Sequence, residues 1–238
     1  MNTKVAIVTG ASSGVGRATA LSLANAGYHV ALIARRADRL EQITSEASAD
    51  LRPRLHPHPA DIADKPAVTS IVQKILAQFQ RIDALVNAAG TNIPDRSLAQ
   101  LTDEKLKAVM DANLTGALNL IQAVLPAMRK QQGGTIVNIN SIAGQNASVL
   151  SGAAYVMSKF ALRGLTQSIN AEEAQHNIRA TSIFPGDINT ELLEKRLTIP
   201  PPEARQKMLQ PQDIADCVLL ALNLPPRAVV EELRITPR

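Results

Sequence analysis

Aromatic side chains make up only 2% of this 238-residue chain: two Tyr, three Phe and no Trp. Such a chain has no interleaved rings on which nucleic-acid bases could stack. The net charge of +4 is dispersed except at Arg35, Arg36 and Arg39, so no nucleic-acid partner is expected. The single cysteine, Cys217, excludes a disulfide within the chain and fits a reducing compartment. Cys217 lies in the apolar run Ala215 to Leu222, which predicts a packed thiol rather than a nucleophile. No uninterrupted apolar run approaches the ~18 residues of a membrane span. No charged, apolar and small-residue signal precedes the first strand. The expectation is a cytoplasmic chain with no membrane partner. His56 and His58 alternate along a short strand but lack further ligands at metal-binding spacing, so no metal is expected.

Hydrophobic residues are nevertheless 45% of the chain, enough for a substantial core. With so few rings, that core must be Ala, Val, Leu and Ile, which suits helices packed on a parallel sheet. Val5-Ala6-Ile7-Val8 reads as a buried strand. It runs into Thr9-Gly10-Ala11-Ser12-Ser13-Gly14-Val15-Gly16 and then a helical pattern to Ala26. Gly10, Gly14 and Gly16 allow a tight turn and close approach of a ligand. The helix start offers free N–H groups to a pyrophosphate. The spacing differs from the Gly-x-Gly-x-x-Gly fingerprint. It is also not a P-loop, because no Lys-Ser/Thr pair follows.

The second strand, His29 to Ala34, ends without the acid that would hold an adenosine ribose. Arg35 and Arg36 stand there instead. Guanidinium groups suit a phosphate, which points to NADP(H) over NAD(H). Further strands follow at Arg54 to Pro59, Ile82 to Val86, Thr135 to Ile139, Ile178 to Phe184 and Val229 to Ile235, with helical patterns between them. The alternation predicts one α/β domain over residues 1–238. Its architecture is a Rossmann-type doubly wound sheet of about seven parallel strands flanked by helices. In such a sheet, ligands sit beyond the carboxyl ends of the strands. Gly10 to Gly16, Arg35, Asp61, Asn87 to Gly90, Ser141 and Pro185 to Thr190 all fall there.

One of the two tyrosines, Tyr155, has Lys159 four positions later. On a helix the two share a face. A neighbouring ammonium favours the phenolate, which makes the pair a general acid/base candidate.

Together these motifs resemble the short-chain dehydrogenase/reductase family over nearly the whole chain. The carrying residues are the Thr9–Gly16 turn, Asn87-Ala88-Ala89-Gly90, Asn113, Ser141, Tyr155-x3-Lys159 and Pro185-Gly186-x-Ile188-x-Thr190. Ala88 departs from the second Asn of many members. The resemblance implies that Tyr155 transfers a proton and that Lys159 lowers its pKa and bonds the nicotinamide ribose. Ser141 would bond the substrate oxygen, and Asn113 would hold a water linking Lys159 to solvent. Gly10, Ser12, Ser13, Gly14, Val15 and Gly16 would cradle the cofactor. Asp61 and Ile62 would flank its adenine, and Asn87, Ala88, Ala89 and Gly90 would shape its floor. Pro185, Gly186, Ile188 and Thr190 would reach its carboxamide end.

The implied activity is hydride transfer between NADP(H) and a carbonyl or secondary alcohol. A dehydrogenase of a hydroxy acid or hydroxy amino acid, a non-catalytic dinucleotide sensor and a dehydratase or epimerase remain as alternatives. Substrate choice is expected in Asp95 to Leu98, Ala143 to Gly152 and Glu191 to Gln210, the last as a lid. The family resemblance also implies a homotetramer or homodimer. The apolar stretch Asn113 to Leu125 and the Tyr155 helix are the expected contacts.

Overall fold

The structure is a computed structural model that describes residues 4–238. The strands are β1 (Val5–Thr9), β2 (His29–Ala34), β3 (Leu55–Pro59), β4 (Ala84–Asn87), β5 (Gly134–Ile139), β6 (Ile178–Pro185) and β7 (Glu232–Ile235). They form one seven-stranded sheet in the order β3-β2-β1-β4-β5-β6-β7. Every pairing is parallel. The order reverses between β1 and β4, the place where an open α/β sheet leaves a ligand crevice.

Each central strand is buried on both faces, and its alternate residues feed two separate cores. On one face Ala6, Val8, Val30, Leu32 and Val86 meet α1 (Gly14–Asn25), α2 (Ala37–Glu46) and a C-terminal helix. On the other, Val5, Ile7, Ile33, Leu85 and Ile136 meet α3 (Lys65–Phe79) and two later helices. Small and branched residues fill both layers, as the scarcity of rings requires.

One helical rod runs from α4 (Asp103–Met110) through a π turn (Asp111–Thr115) into α5 (Gly116–Lys130). Thr102 caps its start by accepting from the Lys105 N–H. By length and composition this rod could cross a membrane, with a mean hydropathy of 1.2 in its most apolar window. Its Leu120, Ile121, Val124 and Met128 instead lie in the second core. The apolar stretch Asn113 to Leu125 thus turns its largest residues onto the sheet. Next comes α6 (Ala153–Glu173), which leaves Met157 and Phe160 exposed.

The segment after β6 contains a 3-10 turn (Glu191–Lys195) and the short α7 (Pro202–Gln206). The last helix is α8 (Pro211–Asn223), the C-terminal partner of the first core. Cys217 is buried in it with its thiol pKa pushed up by burial.

A buried polar ladder ties α6 to the sheet. Asn87 Nδ2 donates to Asn138 Oδ1 at 2.9 Å, and Asn138 Nδ2 donates to Thr166 Oγ1 at 2.9 Å. The Thr166 hydroxyl also meets Ser182 at 2.9 Å. β4, β5, β6 and α6 are thereby joined through side chains. Replacing Asn138 by Leu leaves the Asn87 amide and the Thr166 hydroxyl short of a partner. The expected cost is about 2–4 kcal/mol, read as a lower urea midpoint with an unchanged slope.

Candidate active site

The glycine turn lies between β1 and α1. Gly10 has φ 65°, and a Cβ there would come within 2.8 Å of Ala89 backbone. At Gly16 a side chain would run into the Gly10 carbonyl. These two positions hold the turn tight against the β4 loop. Thr9 Oγ1 accepts from the Ala88 and Ala89 N–H groups, both at 3.1 Å. The Ser13 cap makes no side-chain bond to the helix, and the first turn holds no acid. The N–H groups of Val15 and Gly16 therefore face an electropositive helix start suited to an anion. The Thr190 methyl stands 3.2 Å from where a Gly14 side chain would begin, so Thr190 reaches the turn from the far side.

The two arginines after β2 part company. Arg36 lies on the turn: its Nη2 donates to Ser12 Oγ and Ser13 Oγ, each at 2.9 Å. Arg35 points outward, 3.8 Å from Asp61 with 77% of its side chain exposed. The second guanidinium at the turn is Arg39, which shares the Glu191 carboxylate with Arg36. One anion is already held between two guanidiniums there, which is the arrangement a ribose phosphate needs. The unbranched glycine turn, the uncapped helix start and this arginine pair fit a phosphorylated dinucleotide.

Other predicted cofactor residues are placed as follows. Ile62 is buried, its side chain pressed against Gly116 and its carbonyl accepting from Asn119 Nδ2 at 3.0 Å. Its side chain serves the core, while the half-exposed Asp61 accepts from the Ala63 N–H at 2.9 Å and faces Arg35. Asn87 belongs to the polar ladder, with its Oδ1 buried and unpartnered among the described residues. Pro185 ends β6 opposite Ile235, and Gly186 is crowded by Thr236 and Pro237. Gly186 is therefore required by the chain end it packs on. Ile188 bridges to Leu209 beside the first core.

The catalytic candidates converge on the end of β5. Ser141 follows β5 and caps a short turn by accepting from the Ala143 N–H at 3.1 Å. Lys159 is 3% exposed and donates from Nζ to the Ile139 carbonyl at 2.9 Å. Its Nζ lies 5.6 Å from the centre of the Tyr155 ring. Burial lowers the Lys159 pKa to about 8. Burial pushes the Tyr155 phenol up, opposed by hydrogen bonding from Ser141 and by the charges of Arg96 and Arg196. Arg96 and Arg196 thus act on the phenol in addition to the Lys159 ammonium beside its ring.

Asn113 sits in the π turn, which rotates it inward from the rod. It accepts from the Thr91 N–H at 2.7 Å and donates to the Thr91 carbonyl and to Ser158 Oγ, each at 3.0 Å. Both amide hydrogens are used, so only one Oδ1 lone pair remains for a water. A Gly90 side chain would crowd Asn113 and approach Lys159 Nζ.

With this geometry the relatives can be compared. The short chain dehydrogenase profile matches residues 4–198. The chain belongs to the short-chain dehydrogenase family. It is 34% identical to a farnesol dehydrogenase of Aedes aegypti over 98% of this chain and 96% of that one. An alcohol dehydrogenase of Thermococcus sibiricus, solved with 5-hydroxy-NADP, superposes with TM-score 0.85 at 30% identity, covering 98% and 96% of the two chains. A serine dehydrogenase in its closed form with NADP+ gives TM-score 0.88 at 25% identity, covering 98% and 94%. This short-chain dehydrogenase is thus an oxidoreductase by family, with NADP-bound structural neighbours.

Several site residues escaped the sequence reading. Asn140 donates to the Lys159 carbonyl at 3.1 Å and accepts from the Ser141 N–H at 3.0 Å. It holds both candidates at once. Ser158 links Asn113 to the Tyr155 carbonyl, donating at 2.7 Å. The signal for Asn140 was its place beside Ser141. For Arg39 it is the basic cluster shared with Arg35 and Arg36. Arg96 and Arg196 fall within the segments expected to set substrate choice, Asp95 to Leu98 and Glu191 to Gln210, but nothing local singles out either residue.

The buried ammonium has a stability consequence. Below about pH 8 the fold carries a charged Lys159 at a penalty. Between about 8 and the ordinary 10.5 the folded chain sheds this proton before the unfolded chain does, so stability from this group rises with pH. Lys159→Met is expected to be about 1–3 kcal/mol more stable than the parent at pH 7. That gap closes by pH 10.5, as read from urea unfolding across pH.

Proposed function

We propose that this short-chain dehydrogenase transfers hydride between NADP(H) and a carbonyl or secondary-alcohol substrate, with Tyr155 as the proton-transferring group. One observation carries the reading. Ser141, Tyr155 and Lys159 meet at the end of β5, across the sheet's crevice from an anion-ready glycine turn. When bound, the dinucleotide supplies the hydride for a carbonyl or accepts the one an alcohol releases.

The chain's own groups handle the proton and the charge. A phenol pushed up by burial is protonated at neutral pH, ready to donate to an oxygen that becomes negative. The Ser141 hydroxyl adds a second donor at that oxygen. Lys159, with its pKa near 8, can return a proton to the Tyr155 side of the site. Asn140 fixes the spacing of Ser141 and Lys159. Similar proteins named for farnesol and for serine leave both apolar alcohols and hydroxy amino acids as readings of the substrate.

Tyr155→Phe is expected to lower turnover by roughly 10²–10⁴-fold while NADPH still binds. A panel of carbonyls and alcohols followed at 340 nm measures this. Near-parental rates in the variant would refute the role given to Tyr155.

The phosphate preference rests on Arg36 and Arg39. Arg36→Ala is expected to weaken NADPH by about 10-fold or more, the scale of a charge-assisted hydrogen bond, with little change for NADH. Arg35→Ala should do much less. Equal losses for NADPH and NADH, titrated by fluorescence, would contradict the phosphate clamp.

A further inference from the structure

Three loops enclose the Tyr155 side of the crevice: residues 91–97 after β4, 145–152 after β5 and 187–197 after β6. Arg96 fastens all three. Its Nε donates to the Ile93 carbonyl at 2.7 Å, its Nη1 to Leu150 at 2.6 Å and its Nη2 to Lys195 at 3.0 Å. Gly152, which caps α6 ahead of Tyr155, has room for no side chain because it lies against Arg96. Arg196 comes next to the carbonyl that Arg96 binds. It is 15% exposed and forks onto Asp187. Lys195 Nζ donates to Thr91 Oγ1 at the exposed rim.

The charge here does not balance. Of Arg96 and Arg196, only Arg196 pairs with a carboxylate, that of Asp187. The other acids on these loops are engaged elsewhere: Asp95 by Lys105, Glu191 by Arg36 and Arg39, Glu194 by Arg205. Arg96 has no carboxylate partner among the described residues. The guanidiniums of Arg96 and Arg196 also repel each other. Two half-buried like charges beside a general acid are costly without an anion between or above them. Backbone carbonyls occupy three of the five Arg96 N–H groups, which leaves two for a ligand.

Resting on the hydride-transfer reading above, we infer that Arg96 and Arg196 bind the carboxylate of the substrate, so that this enzyme acts on a hydroxy acid or oxo acid. The fork of a guanidinium matches a carboxylate in plane, and Arg96 lies against Gly152 at the start of the helix that carries Tyr155. Val149 and Leu197 on the same loops are 98% and 82% exposed and face solvent, while Ile93 and Leu192 are half-buried beside the two arginines.

The test compares short 2- and 3-hydroxy acids with their methyl esters, each pair identical but for the charge. Binding is measured by calorimetry to the full chain, with NADPH present and again without nucleotide. Neither condition permits turnover, and the arginines are read whether or not nucleotide binds. At least one acid is expected to bind about 10-fold or more tightly than its ester. Arg96→Gln and Arg196→Gln should each erase that preference and leave ester binding unchanged. Arg96→Lys, which keeps the charge without the fork, should retain part of it. Equal binding of every acid and its ester overturns the inference. So does a parallel loss of acid and ester in the variants, which marks Arg96 as only a strut. The 340 nm assay stands apart: turnover of esters but no preference for acids sinks the carboxylate site and leaves the dehydrogenase reading intact.

Discussion

Lys159 is fastened to the end of β5 through both its side chain and its backbone. Its ammonium donates to the Ile139 carbonyl, and its own carbonyl accepts from Asn140. Because Tyr155 lies one helical turn earlier and Ser141 follows Asn140, these two bonds fix where the phenol and the serine stand relative to each other. The polar ladder from Asn87 to Ser182 repeats the fastening about two turns further along the helix, at Thr166. A helix attached to a sheet only by apolar packing could slide by fractions of an ångström. Directional bonds to buried partners prevent that, at the cost of holding a cation almost out of water.

That cost shapes the electrostatics of the whole site. Burial acts on Tyr155 and Lys159 in opposite directions, raising the first and lowering the second. Both shifts favour the neutral form, so the pair tends toward a protonated phenol and a readily released ammonium proton. Arg96 and Arg196 pull the phenol the other way. The acid strength of Tyr155 therefore depends on loops that also form the wall of the substrate crevice. An anion placed on those arginines would cancel part of their pull, so substrate charge and the readiness of the acid are linked through the same two side chains.

What the sequence disclosed follows from what is local. Val5 to Val8 running into Gly10 marks a buried strand and a ligand turn within a dozen residues. Tyr155 and Lys159 declare a shared helix face by their spacing alone. Residue type and the missing acid after β2 pointed to a phosphate, and Arg36 does lie on Ser12 and Ser13. Adjacency could not tell Arg35 from Arg36, because their opposite directions are set by the backbone leaving β2. Arg39 became a partner only once α2 brought it to Glu191, more than 150 residues away in the chain. Asn113 could be named by type and family resemblance, but the π turn that aims it inward has no sequence period. Arg96 and Arg196 are 100 residues apart and meet only through loops whose paths no pattern of hydrophobicity predicts.

The segment after β6 draws these distant pieces together. Glu191 reaches Arg36 and Arg39, the Lys195 carbonyl takes Arg96, and Arg196 forks onto Asp187. Each attachment uses a guanidinium, and two of the three lie where an anionic ligand would be held. A ribose phosphate at the glycine turn competes with Glu191 for its arginines. A carboxylate held as proposed would take the remaining N–H groups of Arg96 and compete with Asp187 for Arg196. On the proposed reading, the segment after β6 would be held by the charges that ligands use, so its attachment and the occupancy of the crevice would draw on one set of side chains. Exchange of Glu191 or Asp187 for a ligand anion would conserve charge pairing, which would keep the difference between the two arrangements small enough for binding to decide it.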